Sequence, residues 1–522
     1  MNPERFLISI AGVMTSLSVM AQKNDTRPNI VLFMVDDMGW QDTSLPFAND
    51  TTPLNRRFHT PNMERLADMG TRFTSAYACS ISSPSRCSLM TGMNQARHRV
   101  TNWTLRLNQA TDAENSEVEM PDWNYNGIQP VGGINNTAVA TPFVELLRQN
   151  GYHTIHVGKA HFGAQGTPSA DPTAMGFDVN IAGHAAGGLA SYLGEDHYGF
   201  DGYNGKNAEF GIPGLEKYWD TDTFATEALT IEALKALEES TTSHKPFFLY
   251  MSHYAVHVPL DKDSRYYDKY RSEGLDDLEA RYAALIEGMD KSLGDLLDYL
   301  QRTGQLERTI VIFMSDNGGL DFYSRGDAPD GKHNYPLRSG KGSTFEGGIR
   351  EPMIIYWNGV TVPGSTIDDY LIIEDFYPSI LEMAGISDYH VPQTIDGVSF
   401  VPLLRGEKAD PDRYLIWNSP HTWIPTGHQD KINTPDSLRQ GYGQSCAIRQ
   451  GDWKLIYFYN NGWKGLYNLN DDIGEDRNVA SVHPEIVNRL SSLLGESLRR
   501  MDAQRPTFRA SGRPCPWVDE IF

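Results

Sequence analysis

Residues 29–39 read Asn-Ile-Val-Leu-Phe-Met-Val-Asp-Asp-Met-Gly. The run Asn29–Val35 follows Pro28 and has strand length and no charge. Such a continuous apolar run suits a strand buried on both faces of a parallel sheet. It stops at Asp36 and Asp37. The same pattern recurs. Tyr152–Val157 stops at Gly158 and releases Lys159, Ala160 and His161. Phe247–Ser252 is followed by His253–Pro259, with His257 inside. Thr309–Ser315 runs into Asp316-Asn317-Gly318-Gly319.

Helical patterns separate these runs. Met63–Gly70, Thr141–Asn150 and Thr223–Glu239 read as helices, and Phe73–Ala78 as a further strand. The clearest helix is Leu278–Thr303. Leu278, Tyr282, Leu285, Met289, Leu293, Leu296 and Leu300 step by four and three along one stripe, and Gly304 ends it. The alternation predicts an α/β fold, a mainly parallel sheet flanked by helices. Residues 101–136 read as a long surface insertion, and 163–215 as Gly-rich loops. Beyond the loop-like stretch Gly406–Asp412, short strands are expected near Leu415–Asn418, Cys446–Arg449, Trp453–Tyr457 and Leu466–Asn468. A helix is expected over Pro484–Met501. They predict a smaller α+β subdomain with an antiparallel sheet. The expected organisation is a signal peptide at 1–21, a main domain at 22–405 and a C-terminal subdomain at 406–522.

The chain has 522 residues, 40% of them hydrophobic, and a net charge of −22; its mean hydropathy is −0.45. This is the composition of a soluble globular protein. Its acidity argues against nucleic acid or an anionic membrane as partner, so an anionic ligand must be held by local cations. Phe6–Ala21 resembles a secretory signal ending in Val19-Met20-Ala21, with no cysteine after it to carry a lipid. No later run is long and apolar enough to span a membrane. Four cysteines, Cys79, Cys87, Cys446 and Cys515, are too few for a disulfide framework, though one or two bridges stay open. No Cys-x-x-Cys pair occurs, which argues against a thiolate metal site.

Ser82–Gly92 reads SSPSRCSLMTG. Pro84 fits a first helical turn, which puts Ser82 at a helix N-terminus. Arg86, four residues on, shares its face. A hydroxyl and a guanidinium at the positive end of a helix suit a tetrahedral oxyanion. A Ser-rich cap with a surface arginine fits the same pattern. The strand ends add a second argument. In open α/β sheets the carboxyl ends of strands line the active crevice. Asp36, Asp37, Lys159, His161, His257, Asp316 and Asn317 all follow buried strands. Three carboxylates brought together raise each other's pKa, and a divalent cation relieves this. An all-oxygen set of three Asp and one Asn suits calcium or magnesium rather than zinc. Singly, DDMG and DNGG are also ordinary turn sequences.

Ser82-Ser83-Pro84-Ser85-Arg86, with Leu89, Thr91 and Gly92, resembles the maturation signature of the formylglycine-dependent sulfatases, in their serine-type form. The resemblance extends through Gly158–Gly163, His257-Val258-Pro259 and Lys341–Pro352 (KGSTFEGGIREP). Ala447–Ile456 with Leu466–Asp472 resembles that family's C-terminal subdomain. Cys87 and Ala160 depart from its usual pattern, a small residue and an aromatic. The resemblance implies an alkaline-phosphatase-like fold and an enzyme that hydrolyses sulfate esters. It implies that a separate maturase oxidises Ser82 to formylglycine, whose hydrate is the nucleophile. One calcium ion is implied on Asp36, Asp37, Asp316 and Asn317, with Ser82 beside it. Arg86 and Lys159 would hold the hydrate and the sulfate, and His161 would take a proton from the hydrate. His257 would protonate the leaving oxygen, assisted by Lys341, which also binds sulfate.

The expected substrate is a sulfated carbohydrate, a galactose or N-acetylgalactosamine sulfated at a non-reducing end. The expected location is outside the inner membrane, in the periplasm, with no stable membrane anchor. Trp103 and Trp123, among Asn102, Asn124 and Asn126, and the loops around His184 and Tyr203 offer sugar contacts. Alternatively these aromatics only pack the insertion onto the core. Two further readings stay open: a phosphatase or phosphodiesterase of the same superfamily, and a non-catalytic glycan-binding protein if Ser82 is unmodified.

Overall fold

Every residue of Asn29–Val35 is buried, and alternate side chains enter different cores. Ile30, Leu32 and Met34 belong to one apolar cluster, and Val31, Phe33 and Val35 to another. A strand covered on both faces is what its uninterrupted apolar run requires. The computed structural model describes residues 27–241, 245–321, 325, 332–421, 423 and 441–521. The expected signal peptide at 1–21 lies outside the described residues.

In chain order the main elements are β1 (Asn29–Val35), α1 (Pro61–Met69), β2 (Thr71–Tyr77), α2 (Ser82–Thr91), α3 (Phe143–Gln149), β3 (His153–Gly158), β4 (Val179–Ile181), α4 (Ala225–Thr241) and β5 (Phe247–Ser252). Then come α5 (Asp277–Arg302), β6 (Thr309–Ser315), β7 (Arg350–Tyr356), β8 (Ser365–Ile367), β9 (Leu371–Ile372) and α6 (Phe376–Met383). The main sheet has the order β8-β2-β7-β6-β1-β5-β3-β4, with β9 also paired to β2. β1 runs parallel to β5 and β6, with Ile30 opposite Phe248 and Ile310. β3 is parallel to β5 and β4. Only β7 opposes its neighbours β2 and β6. Helices α2, α3 and α6 cover one face through Leu89, Phe143 and Phe376. Helices α1, α4 and α5 cover the other through Leu66, Leu229 and Leu293.

The α/β class holds, with three local corrections. Leu278 lies outside the buried stripe of α5 and is 45% exposed. It falls in the first turn, where Asp276 Oδ1 accepts the Glu279 amide at 3.0 Å and caps the helix. β7 is absent from the expectation because its sequence, REPMIIY, carries a proline. Pairing with β2 shifts register between Glu351 and Met353, so Pro352 sits at an irregularity, where a missing N–H is tolerated. The insertion is also less superficial than expected. Trp123 is fully buried, packed edge-on against Tyr125 and His421, and Val118–Glu119 pairs with Thr507–Phe508. All four cysteines are buried and unbridged. Among the described residues, no helix is long and apolar enough to cross a membrane.

A second, antiparallel sheet orders β10 (Tyr414–Ser419), β11 (Ser445–Gln450), β12 (Trp453–Phe458) and β13 (Lys464–Asn468). One face sends Leu415, Trp417, Ala447 and Ile456 into the main core. The other meets α7 (Pro484–Arg500) through Ile416, Ile448, Leu455 and Leu466 against Leu490, Leu494 and Leu498. The seam also holds a buried ionic cluster. Lys454 Nζ lies 2.9 Å from Glu346 and 2.9 Å from Glu475. Glu346 also pairs with Arg350 at 3.1 Å and accepts from Tyr77 Oη at 2.7 Å. Removing one partner of a buried ion cluster leaves uncompensated charge, at a cost of about 3–5 kcal/mol. Lys454→Ala is therefore expected to destabilise the chain by about that much in denaturant unfolding. An unchanged unfolding midpoint would mean that the cluster carries no stability.

Candidate active site

The carboxyl edge of the main sheet gathers the charges. Asp36 and Asp37 leave β1, and Asp316 and Asn317 leave β6. One carboxylate oxygen each from Asp36, Asp37 and Asp316 lie within 4.8 Å of one another, all buried. Asn317 Nδ2 donates to Asp37 Oδ1 at 2.8 Å. Asp37 has a left-handed backbone, φ 62°, which Asp adopts more readily than most residues. Three bonds pin that turn. The Asp37 amide donates to Asp316 Oδ1 at 3.3 Å, and the Met38 amide to Ser315 Oγ at 3.0 Å. Tyr282 Oη donates to the Asp37 carbonyl at 3.2 Å.

Each carboxylate has a cation from another element. Lys159, just after β3, places Nζ 2.7 Å from Asp36 Oδ2. Arg86 of α2 donates from Nε to Asp316 Oδ2 at 2.9 Å. Lys341 lies 2.7 Å from Asp37. Burial lowers the Lys159 pKa, with Asp36 opposing that shift. Burial also works against Arg86, but Tyr250, Asp316 and Asp36 outweigh it and hold its pKa up.

Ser82 is the first residue of α2. Its Oγ accepts from Lys159 Nζ at 2.9 Å and lies 3.1 Å from both Asp36 Oδ1 and Asn317 Oδ1. All ten residues of α2 are buried, which explains its small polar composition. Ser85 Oγ accepts the Cys79 amide at 3.0 Å, and Ser83 Oγ meets Thr104 Oγ1 at 3.3 Å. Gly92 ends the helix at φ 68°, its amide bonded to the Ser88 carbonyl, a left-handed cap that glycine adopts without strain.

The two histidines approach from covering loops. His257 donates from Nδ1 to the Val258 carbonyl at 2.7 Å and turns Nε2 toward Asp37, 3.7 Å away. Tyr192 Oη holds that loop by donating to the His257 carbonyl at 2.9 Å. Burial, and then the Lys341 ammonium, push His257 down to about 3. His161 donates from Nε2 to the Thr104 carbonyl at 3.0 Å. Its buried Nδ1 has no hydrogen-bond partner among the described residues. Burial, then Lys159 and Arg86, push it well below the usual histidine range.

Asp36, Asp37, Ser82, Arg86, Lys159, Asp316, Asn317 and Lys341 form one bonded cluster, and His257, its Nε2 3.7 Å from Asp37, and His161 border it. Trp103 and His184 are not bonded to it through their side chains. The His184 carbonyl accepts the His161 amide at 3.3 Å, while burial pushes its imidazole down to about 4. Trp103, half-buried, lies one residue before Thr104. Three supporting groups escaped the sequence reading. Asp42 accepts from Tyr282 Oη at 2.7 Å and pairs with buried Arg325 at 3.1 Å, which also binds Glu279. Glu351 is buried with neither oxygen hydrogen-bonded among the described residues. Burial, then Asp316 and Asp37, hold its carboxyl well above the usual range. Trp423 lies against Gly342 and Lys341. The partners of Asp42 are far apart in sequence and neither Glu351 oxygen has a hydrogen-bond partner among the described residues, so no local pattern marks their roles; Trp423 alone had a cue, an aromatic just past a strand end.

The donor set fits a hard cation. It offers only carboxylate and amide oxygens at short range, the chemistry calcium prefers. The three carboxylates and three cations cancel, so a divalent ion would leave the cluster positive and ready for an anion.

Comparisons agree with this chemistry. A family model described as sulfatase matches residues 28–386, and one described as N-sulphoglucosamine sulphohydrolase, C-terminal, matches residues 339–504. A sulfatase of Formosa agariphila is 28% identical over 548 residues, covering 92% of this chain and 89% of that protein. The N-acetylgalactosamine-6-sulfatase of Mus musculus is 30% identical over 416 residues, covering 76% of this chain and 70% of that protein. The crystal structure of Ps i-CgsB in complex with k-i-k-neocarrahexaose superposes with a TM-score of 0.71 at 25% identity, covering 92% of this chain and 94% of that one.

The loop over His161 has no room for a side chain. A Cβ on Gly187 would fall 2.0 Å from His161 Cε1 and 2.3 Å from Nδ1. Gly187→Ala must therefore displace the ring, and displacements of this size cost about 10²-fold in rate. Steady-state kinetics should show that loss with the melting temperature unchanged. Wild-type turnover would mean that His161 has no exacting position to keep.

Proposed function

The chain belongs to the sulfatase family and is a sulfuric ester hydrolase, and from that premise we propose that it desulfates carbohydrate in the periplasm, using Ser82 oxidised to formylglycine and one calcium ion. The observation that carries this reading is the seat of Ser82. Its Oγ touches Lys159, Asp36 and Asn317 at the N-terminus of a buried helix, where an oxyanion is stabilised. Formylglycine at position 82, as its hydrate, would supply one hydroxyl as the nucleophile and a second whose loss of a proton would let the C–O bond to sulfate break, releasing sulfate and restoring the aldehyde. Asp36, Asp37, Asp316 and Asn317 would hold the calcium ion, which draws charge from the sulfate oxygens.

The chain's own residues supply the rest. Lys159 and Arg86 orient the group at position 82 and neutralise charge on the sulfate. His161 donates from Nε2 to the Thr104 carbonyl, and burial, then Lys159 and Arg86, lower its pKa, which favours the unprotonated Nδ1 a base requires. His257 must carry a proton to assist the leaving oxygen. Burial and then Lys341 hold His257 low, and the negative charge of a bound sulfate ester would oppose the Lys341 part of that shift. The 30% identity to an N-acetylgalactosamine-6-sulfatase supports a galactose or N-acetylgalactosamine sulfate at a non-reducing end. Secretion rests on the signal at residues 1–21, and activation needs a formylglycine-generating maturase.

Two-metal phosphatases and phosphodiesterases need a second ligand set. Among the described residues there is one close cluster of three acidic, His or Cys ligands. The glycan-binding alternative depends on position 82, since a serine hydroxyl cannot form a hydrate.

Peptide mass spectrometry of the secreted protein is expected to find residue 82 lighter than serine by two hydrogens, and Ser82→Ala to abolish turnover. Unmodified serine in active enzyme would overturn the nucleophile. The metal is tested separately. An ion present at 100 times its dissociation constant adds about 2.7 kcal/mol to stability. Chelation should therefore lower the melting temperature by several degrees and remove activity, and calcium should restore both. An unchanged melting curve and full activity in metal-free protein would rule the ion out.

A further inference from the structure

The second sheet delivers part of its chain to the active site. Strand β10 ends beside the loop that leads into α2. Trp417 Nε1 donates to the Ala78 carbonyl at 2.8 Å, and Ser419 Oγ lies 3.3 Å from Ser80 Oγ. The Gly342 amide, next to Lys341, donates to the Ser80 carbonyl at 2.7 Å. Pro420 and His421, which follow β10, therefore emerge between the Ser82 loop and the Lys341 loop. His421 anchors them. Its Nε2 lies 2.6 Å from Thr101 Oγ1 and its Nδ1 2.5 Å from Asp112. Trp123 stands edge-on to the imidazole at 5.4 Å. Both partners of His421 belong to the 101–136 insertion, which thus meets this exit from the opposite side.

Two residues on, Trp423 lays its indole on the Lys341–Gly342 backbone. Gly342 has φ 92°, and a Cβ there would fall 2.1 Å from Trp423 Cε3. Glycine is therefore required twice, for the backbone angle and for the ring's approach. The Lys341 ammonium, which also binds Asp37, is 5.5 Å from the indole centroid. Tyr442 packs at an angle on the same indole, with centroids 6.3 Å apart. The indole is nonetheless only half-buried. A large apolar ring left partly open beside a cation that binds the reacting anion is an amphipathic surface. Sugars match it: their C–H faces stack on aromatic rings while their hydroxyls and sulfates face polar groups.

We propose that Trp423 is the platform on which the sugar ring carrying the sulfate stacks, with Lys341 reading the sulfate beside it. This rests on the carbohydrate reading above and assigns the sugar subsite to Trp423, rather than to Trp103 or His184. Loss of one apolar subsite contact costs roughly 10–200-fold in kcat/KM.

The test compares wild type, Trp423→Ala and Trp423→Phe on galactose and N-acetylgalactosamine saccharides sulfated at defined positions. Trp423→Ala is expected to lose at least about tenfold in kcat/KM, mostly through KM. Trp423→Phe is expected to recover most of that loss. Inhibition by inorganic sulfate, which reports the sulfate subsite alone, should stay near the wild-type value in both. If Trp423→Ala lowers the melting temperature, Trp423→Leu replaces it, keeping apolar bulk without an aromatic face. Wild-type kcat/KM in the Ala or Leu variant overturns the platform. Sulfate inhibition lost in parallel with saccharide turnover also overturns it, since Trp423 would then only support Lys341. A wild-type enzyme that cleaves aryl sulfates but no saccharide fails at the earlier step and removes the carbohydrate reading itself.

Discussion

Three carboxylates with no exposure, held within 4.8 Å of one another, are the constraint that the structure answers. Ionised carboxylates at that range repel, and burial strengthens the repulsion. The chain compensates with three cations, each from a different element: Lys159 after β3, Arg86 in α2 and Lys341 in the loop before β7. None can be supplied locally, because the acids themselves end β1 and β6 in the middle of the sheet. Electroneutrality of the site thus requires the sheet order, the position of α2 and the long excursion between β6 and β7 to be right together.

The segment Lys341–Pro352 shows how many demands one motif meets. Lys341 faces the acids, and Gly342 admits an indole. Glu346 turns away and locks the second sheet through Lys454. Gly347 and Gly348 have backbone oxygens where a Cβ would stand, at 2.4 Å from Arg338 O and 2.1 Å from Ser343 O. The motif therefore couples the reacting centre to the C-terminal sheet, whose other contribution is Trp423. Severing Lys454 from Glu346 would disturb the same loop that holds Lys341.

Strand ends were the legible part. Asn29–Val35, Phe247–Ser252 and Thr309–Ser315 have the same bounds in sequence and structure, because a strand buried on both faces must be apolar throughout. The residues released there then follow from topology alone. β7 was hidden by Pro352, which reads as a breaker unless its bulge is known. Asp42, Glu279 and Arg325 were hidden for a different reason. Their pairing joins one helix to two loops, and each charged side chain alone reads as solvated. Trp123 was left open between a sugar contact and core packing because its neighbours are Asn and Asp; its ring is fully buried, so it packs the core. Periodicity reports burial of an element, and it is silent on an isolated anchor in an irregular segment.

The site's neutrality also bears on what it accepts. Since its acids and cations cancel, the rest of the chain carries the full net charge of −22. A polyanionic glycan running along the surface meets that field with each additional sulfate, while salt limits it to about 8 Å at physiological strength. The cluster itself would become positive with a divalent ion bound, and Lys341 and Lys159 stand in it at short range and low dielectric, where each cation counts for most. An approaching anion is therefore opposed by the net charge of the chain as a whole and drawn by a few buried cations at one place.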